Sequence, residues 1–477
     1  MVFSSPFFLF FFLPVTLLLA YISRNSKFRN AVLVILSILF YVFGEGEMIV
    51  LMMLSITFNY FIGKWIDRSK TKTAISVGVF VNLLLLVIFK YSSFVVENIN
   101  YLLVDFHIDP IKFAKVKLPV GISFYTFHSI SYLIDVYRKE NKVQKSFVDL
   151  TLYISLFPQL VAGPIIRYKD IAYQFTGRFL NSAQFQLGIQ RFIIGMGKKV
   201  IIANSLGYTT DLLFDIGPAQ LSTSATWFAI ISYSLQLYFD FSGYSDMAIG
   251  LGKMLGFDFL ENFNFPYKAK SVREFWQRWH ISLSNWFRDY LYIPMGGNRV
   301  SKSRVYFNLI FVFFVTGLWH GASWNFVIWG LIHGFFMIIE RLGFEKFLRR
   351  GGNFVMHFYT IFVVVLAWVF FRSETLEKSI TFIQSLFIYN KNSIYSIDMF
   401  LNRENIFCCM LGLILSVNGI NFMLKKTVQI LYQSTISIQT VKSTFRTIKS
   451  VSLILIFVYS ALSVVSGTYN PFIYFRF

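Results

Sequence analysis

The sequence predicts an all-α, polytopic integral membrane protein, and three observations carry that prediction. Apolar runs of about 20 residues, the length a helix needs to cross hydrocarbon, recur along the chain. Of 477 residues, 56% are hydrophobic and 14% charged, about half the charged share of a soluble domain. The 44 lysines and arginines, set against 24 acidic residues, fall mostly in short links between the apolar runs. A bilayer can absorb 58 phenylalanines, which a soluble core cannot. Each crossing has to be helical, because hydrocarbon offers no partner to an unpaired backbone group.

The first apolar run, 6–22, has no cation before it and no small-residue cleavage pattern after it, so it reads as a span rather than a cleaved signal. Arg24, Lys27 and Arg29 follow it, and the positive-inside rule then places the N-terminus outside. Further spans are expected near 30–44, 47–65, 73–90, 118–137, 147–166, 185–204, 224–255, 305–340, 354–371, 404–424 and 450–468. The acidic turn Glu45–Glu47 suits an outside link. The clusters Lys64, Arg68, Lys70, Lys72 and Arg138, Lys139, Lys142, Lys145 suit inside ones. After Arg167 the alternation of charge becomes ambiguous, which points to re-entrant or surface-lying helices. The expectation is about ten to twelve transmembrane helices in one polytopic membrane domain, 1–477. The polar stretch 373–403 reads as an interfacial helix and loop. A net charge of +20 would suit nucleic acid in a soluble protein, but beside so many spans it reads as loops facing anionic lipid. Cys408 and Cys409 adjoin in an apolar run and suit neither a disulfide framework nor zinc.

Polar groups inside a membrane are costly, so they are the first places to look for chemistry. Val305 to Ile339 holds 35 residues without an Asp, Glu, Lys or Arg. One helix of that length would measure about 52 Å, against about 30 Å of hydrocarbon. The window therefore predicts two short helices meeting at a break, Thr316–Ser323, with His320 in its middle. His320 sits in that stretch, with Gly321 and Ala322 leaving room for a ligand. A buried histidine satisfied by a carbonyl is the plainer reading; the break and the small neighbours favour the functional one. His333 reads as structural.

A second window runs from Lys268 to Arg299. As one helix it puts Arg273, Gln277, His280, Ser284 and Arg288 on a polar stripe beside Trp276, Trp279, Leu283 and Trp286. Spacing alone leaves two readings open: a helix lining a wet passage, or an interfacial helix with snorkelling arginines. Asp240 and Asp246 could orient a base or bind a cation, but pairing with an Arg of the neighbouring segment is the favoured reading. Phe157–Pro164 interrupts its span with two prolines and a glycine and reads as unwound. No phosphate-binding G-x-x-x-x-G-K-[ST] loop, H-E-x-x-H zinc motif or G-x-S-x-G elbow is present.

Five stretches together resemble the membrane-bound O-acyltransferases, in particular their bacterial alginate O-acetyltransferase branch. They are Leu118–Phe127, Phe157–Pro164, Tyr238–Asp246, Glu274–Gly297 and Gly317–Ala322, with Asn470–Phe477 as a sixth. The resemblance implies an acyltransferase core at about 118–340, wrapped around a central funnel. It implies that His320, in Trp319-His320-Gly321, is the catalytic histidine. His280 matches a second polar position that is Asn in many other branches. It further implies a cytoplasmic thioester donor such as acetyl-CoA, with no resident cofactor or metal. The acceptor would be an extracytoplasmic polysaccharide hydroxyl or a periplasmic esterase-like relay protein, reached from a bacterial inner membrane.

On this reading His320 takes the acceptor hydroxyl's proton as the oxygen attacks the acyl carbonyl, worth about 10²–10⁴-fold. His280 orients a substrate or polarises the carbonyl. Arg273, Gln277, Ser284 and Arg288 are the donor-binding candidates. Two competitors are kept: D-alanyl transfer to teichoic acid, and a transporter of lipid-linked glycans, which would need inverted repeats.

Overall fold

The computed structural model describes residues 1–23, 25–419, 438–467 and 469–471. Arg24 and residues 472–477 of the C-terminal motif lie outside the described residues. The described chain is helical, with an isolated bridge, Leu221 to Tyr395, and no strand among those residues.

A short π-helical run, Phe8–Phe12, leads into α1 (Leu13–Ile22), followed by α2 (Ser26–Glu45) and α3 (Met48–Ser69). Next comes one long rod: α4 (Lys72–Leu86), a π-turn at Val87–Tyr91, and α5 (Ser92–Asp105). α6 (Ile122–Tyr137) and α7 (Phe147–Ser155) follow, then α8 (Ser182–Gly197), α9 (Asn204–Ile216) and α10 (Thr223–Met254). Two short helices, α11 (Val272–Arg278) and α12 (Ile281–Phe287), precede the hairpin α13 (Lys302–His320) and α14 (Trp324–Ile339). The chain then runs through α15 (Gly352–Arg372), α16 (Leu376–Phe387), α17 (Arg403–Ser416) and α18 (Ile438–Val465).

Six of these segments are long and apolar enough to cross a membrane by length and composition, among them Ser26–Glu45, the rod Lys72–Asp105 and Gly352–Arg372. The outside of the bundle is greasy: Phe61, Phe354 and Phe358 are each more than 60% exposed. Some inward-turned polar groups pair across helices, as packing in lipid favours. Asn59 on α3 and Asn82 on α4 exchange amide hydrogen bonds at 3.1 and 2.8 Å.

Several expected spans change form. The 147–166 run is not one helix: α7 stops at Ser155, a single turn covers Phe157–Leu160, and the chain unwinds to Pro164. Residues 118–121 are non-helical, so α6 starts at Ile122. The polar stretch after Arg372 holds α16 and a loop, as expected. The largest departure is at 268–299. That window is two helices at an angle, because His280 takes a left-handed conformation (φ 44°, ψ 54°) between α11 and α12.

Two close approaches fix the bundle around the site. α8 crosses α10 with Gly195 against Gly243, where a Cβ on Gly195 would stand 2.5 Å from the Gly243 carbonyl oxygen. In the α13–α14 hairpin, a Cβ on Gly317 would collide with the Phe326 carbonyl and one on Gly330 with the Phe313 carbonyl. Small residues at such crossings let backbones approach where helix packing in lipid depends on contact.

Candidate active site

The expected break between α13 and α14 exists, but it spans Gly321–Ser323 and leaves His320 as the last residue of α13. The carbonyls of a final helical turn lack intrahelical partners. Here side chains of the α4–α5 rod serve two of them: Tyr91 donates its hydroxyl to the Leu318 carbonyl at 2.8 Å, and Lys90 Nζ donates to the Trp319 carbonyl at 2.5 Å. Both donors come from the Val87–Tyr91 π-turn, a local widening that often marks functional sites. Trp319 in turn lies flat against Phe127 of α6, with ring centroids 5.5 Å apart. The end of α13 is thus held from two sides.

His320 is 4% exposed, with Trp329 and Phe371 edge-on to its ring at 4.9 and 5.2 Å. Neither ring nitrogen has a hydrogen-bond partner among the described residues. A buried polar group normally finds one; the fully buried His128 and His333 lack partners in the same way, and what sets the His320 ring apart is the space beside it. It opens on a cavity of about 120 Å³ shared with Lys90, Ser123, Phe124 and Val161. The motifs at 118–127 and 157–164 meet in this wall, where a Cβ on Gly121 (φ 80°) would lie 2.7 Å from the Leu160 carbonyl.

Two larger cavities flank it. One, of about 650 Å³, starts at Gly321–Ser323 and Lys90 and reaches Asp211, Arg372 and Glu374. The other, of about 600 Å³, lies along α13 before His320, walled by Phe313 and Thr316. It is lined by all four polar residues that the sequence suggested as donor contacts: Arg273, Gln277, Ser284 and Arg288. Arg273 meets Glu345 at 3.4 Å, Arg288 meets Asp289 at 2.8 Å, and the Ser284 hydroxyl donates to the Trp276 carbonyl at 3.1 Å. Glu340, in the same wall, accepts the backbone N–H of Val272 at 2.6 Å and of Arg273 at 3.1 Å, anchoring the start of α11. Beside these cavities Trp276 packs edge-on against Phe313 and Trp329, with ring centroids 5.2 and 5.7 Å apart.

The kink parts His280 from that polar stripe. Its ring turns away from the 600 Å³ cavity and comes to lie 6.5 Å from that of His320. Its Nδ1 lies 3.1 Å from Asn262 Oδ1. The same oxygen accepts the Ser282 backbone N–H at 3.2 Å and the Ser282 hydroxyl at 2.8 Å. A backbone N–H can only donate, so the amide atom facing it is the oxygen, and His280 Nδ1 has to carry the proton. In the neutral ring Nε2 then holds the lone pair, and Nε2 has no partner among the described residues. His280 is therefore set to accept a hydrogen bond, which removes the expectation that the neutral ring polarises a carbonyl.

The other polar residues singled out in the sequence, Asp240, Asp246 and His333, line none of these three cavities. Asp246 pairs with Arg191 at 2.6 Å and Lys198 at 2.7 Å, and Asp240 pairs with Lys199 at 2.6 Å. His333 is fully buried among Trp276, Trp329 and Phe275. Sequence reading missed Lys90, Tyr91, Asn262 and Glu340. Lys90 had a signal: it is the one cation in an otherwise apolar run and passed for the end of a span. Asn262 had none, since its partners are fold-dependent.

Residues 35–376 match the model of the membrane-bound O-acyltransferase family. The chain belongs to that family. Among its relatives, the probable alginate O-acetylase AlgI of Pseudomonas putida is 38% identical across the whole of both chains. The peptidoglycan O-acetyltransferase of Helicobacter pylori is 37% identical, covering 85% of this chain and 84% of its own. The teichoic acid D-alanyltransferase of Bacillus subtilis is more distant, at 30% identity over 48% of this chain and 60% of its own. The family match covers the ends of α13 and α14, the His280 kink and the walls of the three cavities up to residue 376.

Proposed function

We infer that this chain is a membrane-bound O-acetyltransferase that places acetyl groups on hydroxyls of an extracytoplasmic polysaccharide. The observation that carries the reading is His320, a buried imidazole with both nitrogens unspent, at a small cavity flanked by larger cavities on either side. Family membership supplies the reaction class, and relatives that acetylate alginate and peptidoglycan favour acetyl over other acyl groups.

The chain sits in a bacterial inner membrane with about ten to twelve crossings. The arginine-lined 600 Å³ cavity faces the cytoplasm and takes the donor thioester, its phosphates beside Arg273 and Arg288. The 650 Å³ cavity faces outward and admits the acceptor hydroxyl, either of the polymer or of a periplasmic relay protein. The two substrates meet at His320. The acceptor oxygen attacks the carbonyl carbon, and His320 takes its proton. The tetrahedral intermediate then expels the thiolate, which receives the proton from His320. The product is an O-acetyl ester and a free thiol. His280 Nε2 accepts a hydrogen bond from a second hydroxyl of the acceptor and orients it.

The test is the chemistry of the cell-surface polymer. Mild base should release acetate from cells carrying the gene and much less from cells lacking it. Release of D-alanine instead would move the cargo to that of the teichoic acid branch. Equal release of acetate from both strains would remove the acetyltransferase reading.

A further inference from the structure

Lys90 is a cation in the apolar interior whose partners are neutral. Its Nζ donates to the Trp319 carbonyl at 2.5 Å and to Ser123 Oγ at 3.2 Å, and among the described residues no carboxylate lies within ion-pair distance. In its ammonium form Lys90 carries three N–H donors, so these two bonds leave one. The tip is anchored to Trp319 and Ser123, and both residues line the 120 Å³ cavity that His320 also lines. A lysine held in place by two protein oxygens, with a spare donor beside an unpartnered histidine, is arranged for an anion that forms there and does not persist.

The cavity's size says which anion. Pockets for drug-sized ligands run to about 300–1,000 Å³, while this one is about 120 Å³. Its volume matches a short acyl group and its carbonyl oxygen better than a long chain or a nucleotide.

We propose that the 120 Å³ cavity is the acetyl site, and that Lys90 is a catalytic residue whose free N–H stabilises the oxyanion of the tetrahedral intermediate. The proposal rests on the acetyl-transfer reading above. The acceptor oxygen bonds to the carbonyl carbon as its proton passes to His320, and the carbonyl π pair moves onto the oxygen beside Lys90. When the pair returns, the carbon–sulfur bond breaks and the thiolate leaves with the proton from His320. Lys90 neither gains nor loses a bond in the cycle. Its charge is placed where charge develops, and the site needs no reorganisation at that moment.

Lys90 also caps the helix end, so the experiment has to separate the two roles. Membrane vesicles holding the full chain are supplied with a labelled acetyl thioester and an oligosaccharide acceptor, and kcat and KM are measured for wild type, Lys90→Met, Lys90→Arg and Tyr91→Phe. Tyr91→Phe removes the neighbouring cap on Leu318 without touching the acetyl cavity. Loss of one oxyanion donor costs about 10²–10³ in kcat. Lys90→Met should show that loss with the donor KM little changed, Lys90→Arg should recover part of it, and Tyr91→Phe should lose only a few-fold. A Lys90→Met protein as active as wild type overturns the proposal. So does one that loses no more than Tyr91→Phe, or one that Lys90→Arg fails to rescue. An inactive wild type with every acetyl thioester would instead indict the acetyl-transfer reading itself.

Discussion

His280 and Asn262 form a one-way pair: the Asn262 side-chain oxygen, fixed by the Ser282 backbone N–H, can only accept, and His280 Nδ1 lies 3.1 Å from it as the donor. That geometry sets the tautomer of the second histidine and leaves its Nε2 with an unshared lone pair. Asn262→Leu removes the acceptor and frees the ring to take the other tautomer. Activity should fall while the protein still inserts, because the hydrogen bond at one ring nitrogen sets which nitrogen carries the proton. Kinetics in vesicles, beside the amount of protein in the membrane, check this. Unchanged kcat with Asn262→Leu would separate the tautomer from the chemistry.

The left-handed backbone at His280 makes a separate prediction about stability. Asn and His tolerate positive φ better than other residues, and a β-branched residue there is an outlier. His280→Asn should therefore keep the melting temperature of the detergent-solubilised protein close to wild type. His280→Val should cost about 1–2 kcal/mol for the backbone alone. Equal stability of the two variants would mean that the kink between α11 and α12 is not held as described.

The α13–α14 hairpin depends on the absence of side chains at its crossing. Gly330→Leu puts a side chain into the Phe313 carbonyl and should force the hairpin apart. Overpacking of this kind costs about 1–3 kcal/mol and moves His320. Loss of both thermal stability and activity is the expected outcome, and wild-type stability with Gly330→Leu would contradict the packing.

Arg273 and Arg288 line the 600 Å³ cavity at its polar end, and neither touches the reacting centre. Their replacement by Gln should raise the donor KM several-fold with kcat nearly unchanged, the signature of lost uniform binding. The effect should shrink in high salt, where the wild type is itself weakened. A fall in kcat at unchanged KM would assign these arginines to the chemical step instead.

How far the sequence could be read follows physical lines. Hydropathy periods and charge-poor length gave the helical membrane class, and the 35-residue window 305–339 gave the hairpin, because length against bilayer thickness is a one-dimensional argument. Its break lies at 321–323 rather than around His320, since a helix can run to its last carbonyl when side chains such as Lys90 and Tyr91 cap it from another rod. The polar stripe of 268–299 was half legible. Arg273, Gln277, Ser284 and Arg288 do share a cavity, but the regular helix that placed His280 beside them does not exist. One residue at φ 44° redirects the ring toward Asn262 and His320. No periodicity reveals such a residue, because a strained backbone is held by its tertiary surroundings. Whether Trp276, Phe313 and Trp329 line a passage or close it was not legible either, because that depends on how they pack.

The central claim is that the imidazole of His320 moves the proton in acetyl transfer. The most direct measurement is single-turnover transfer from a labelled acetyl thioester in vesicles holding wild type or His320→Gln at matched levels, with the bound donor counted separately. The account predicts that His320→Gln binds the donor like wild type and transfers at least about 10²-fold more slowly. Transfer at the wild-type rate by His320→Gln would contradict it.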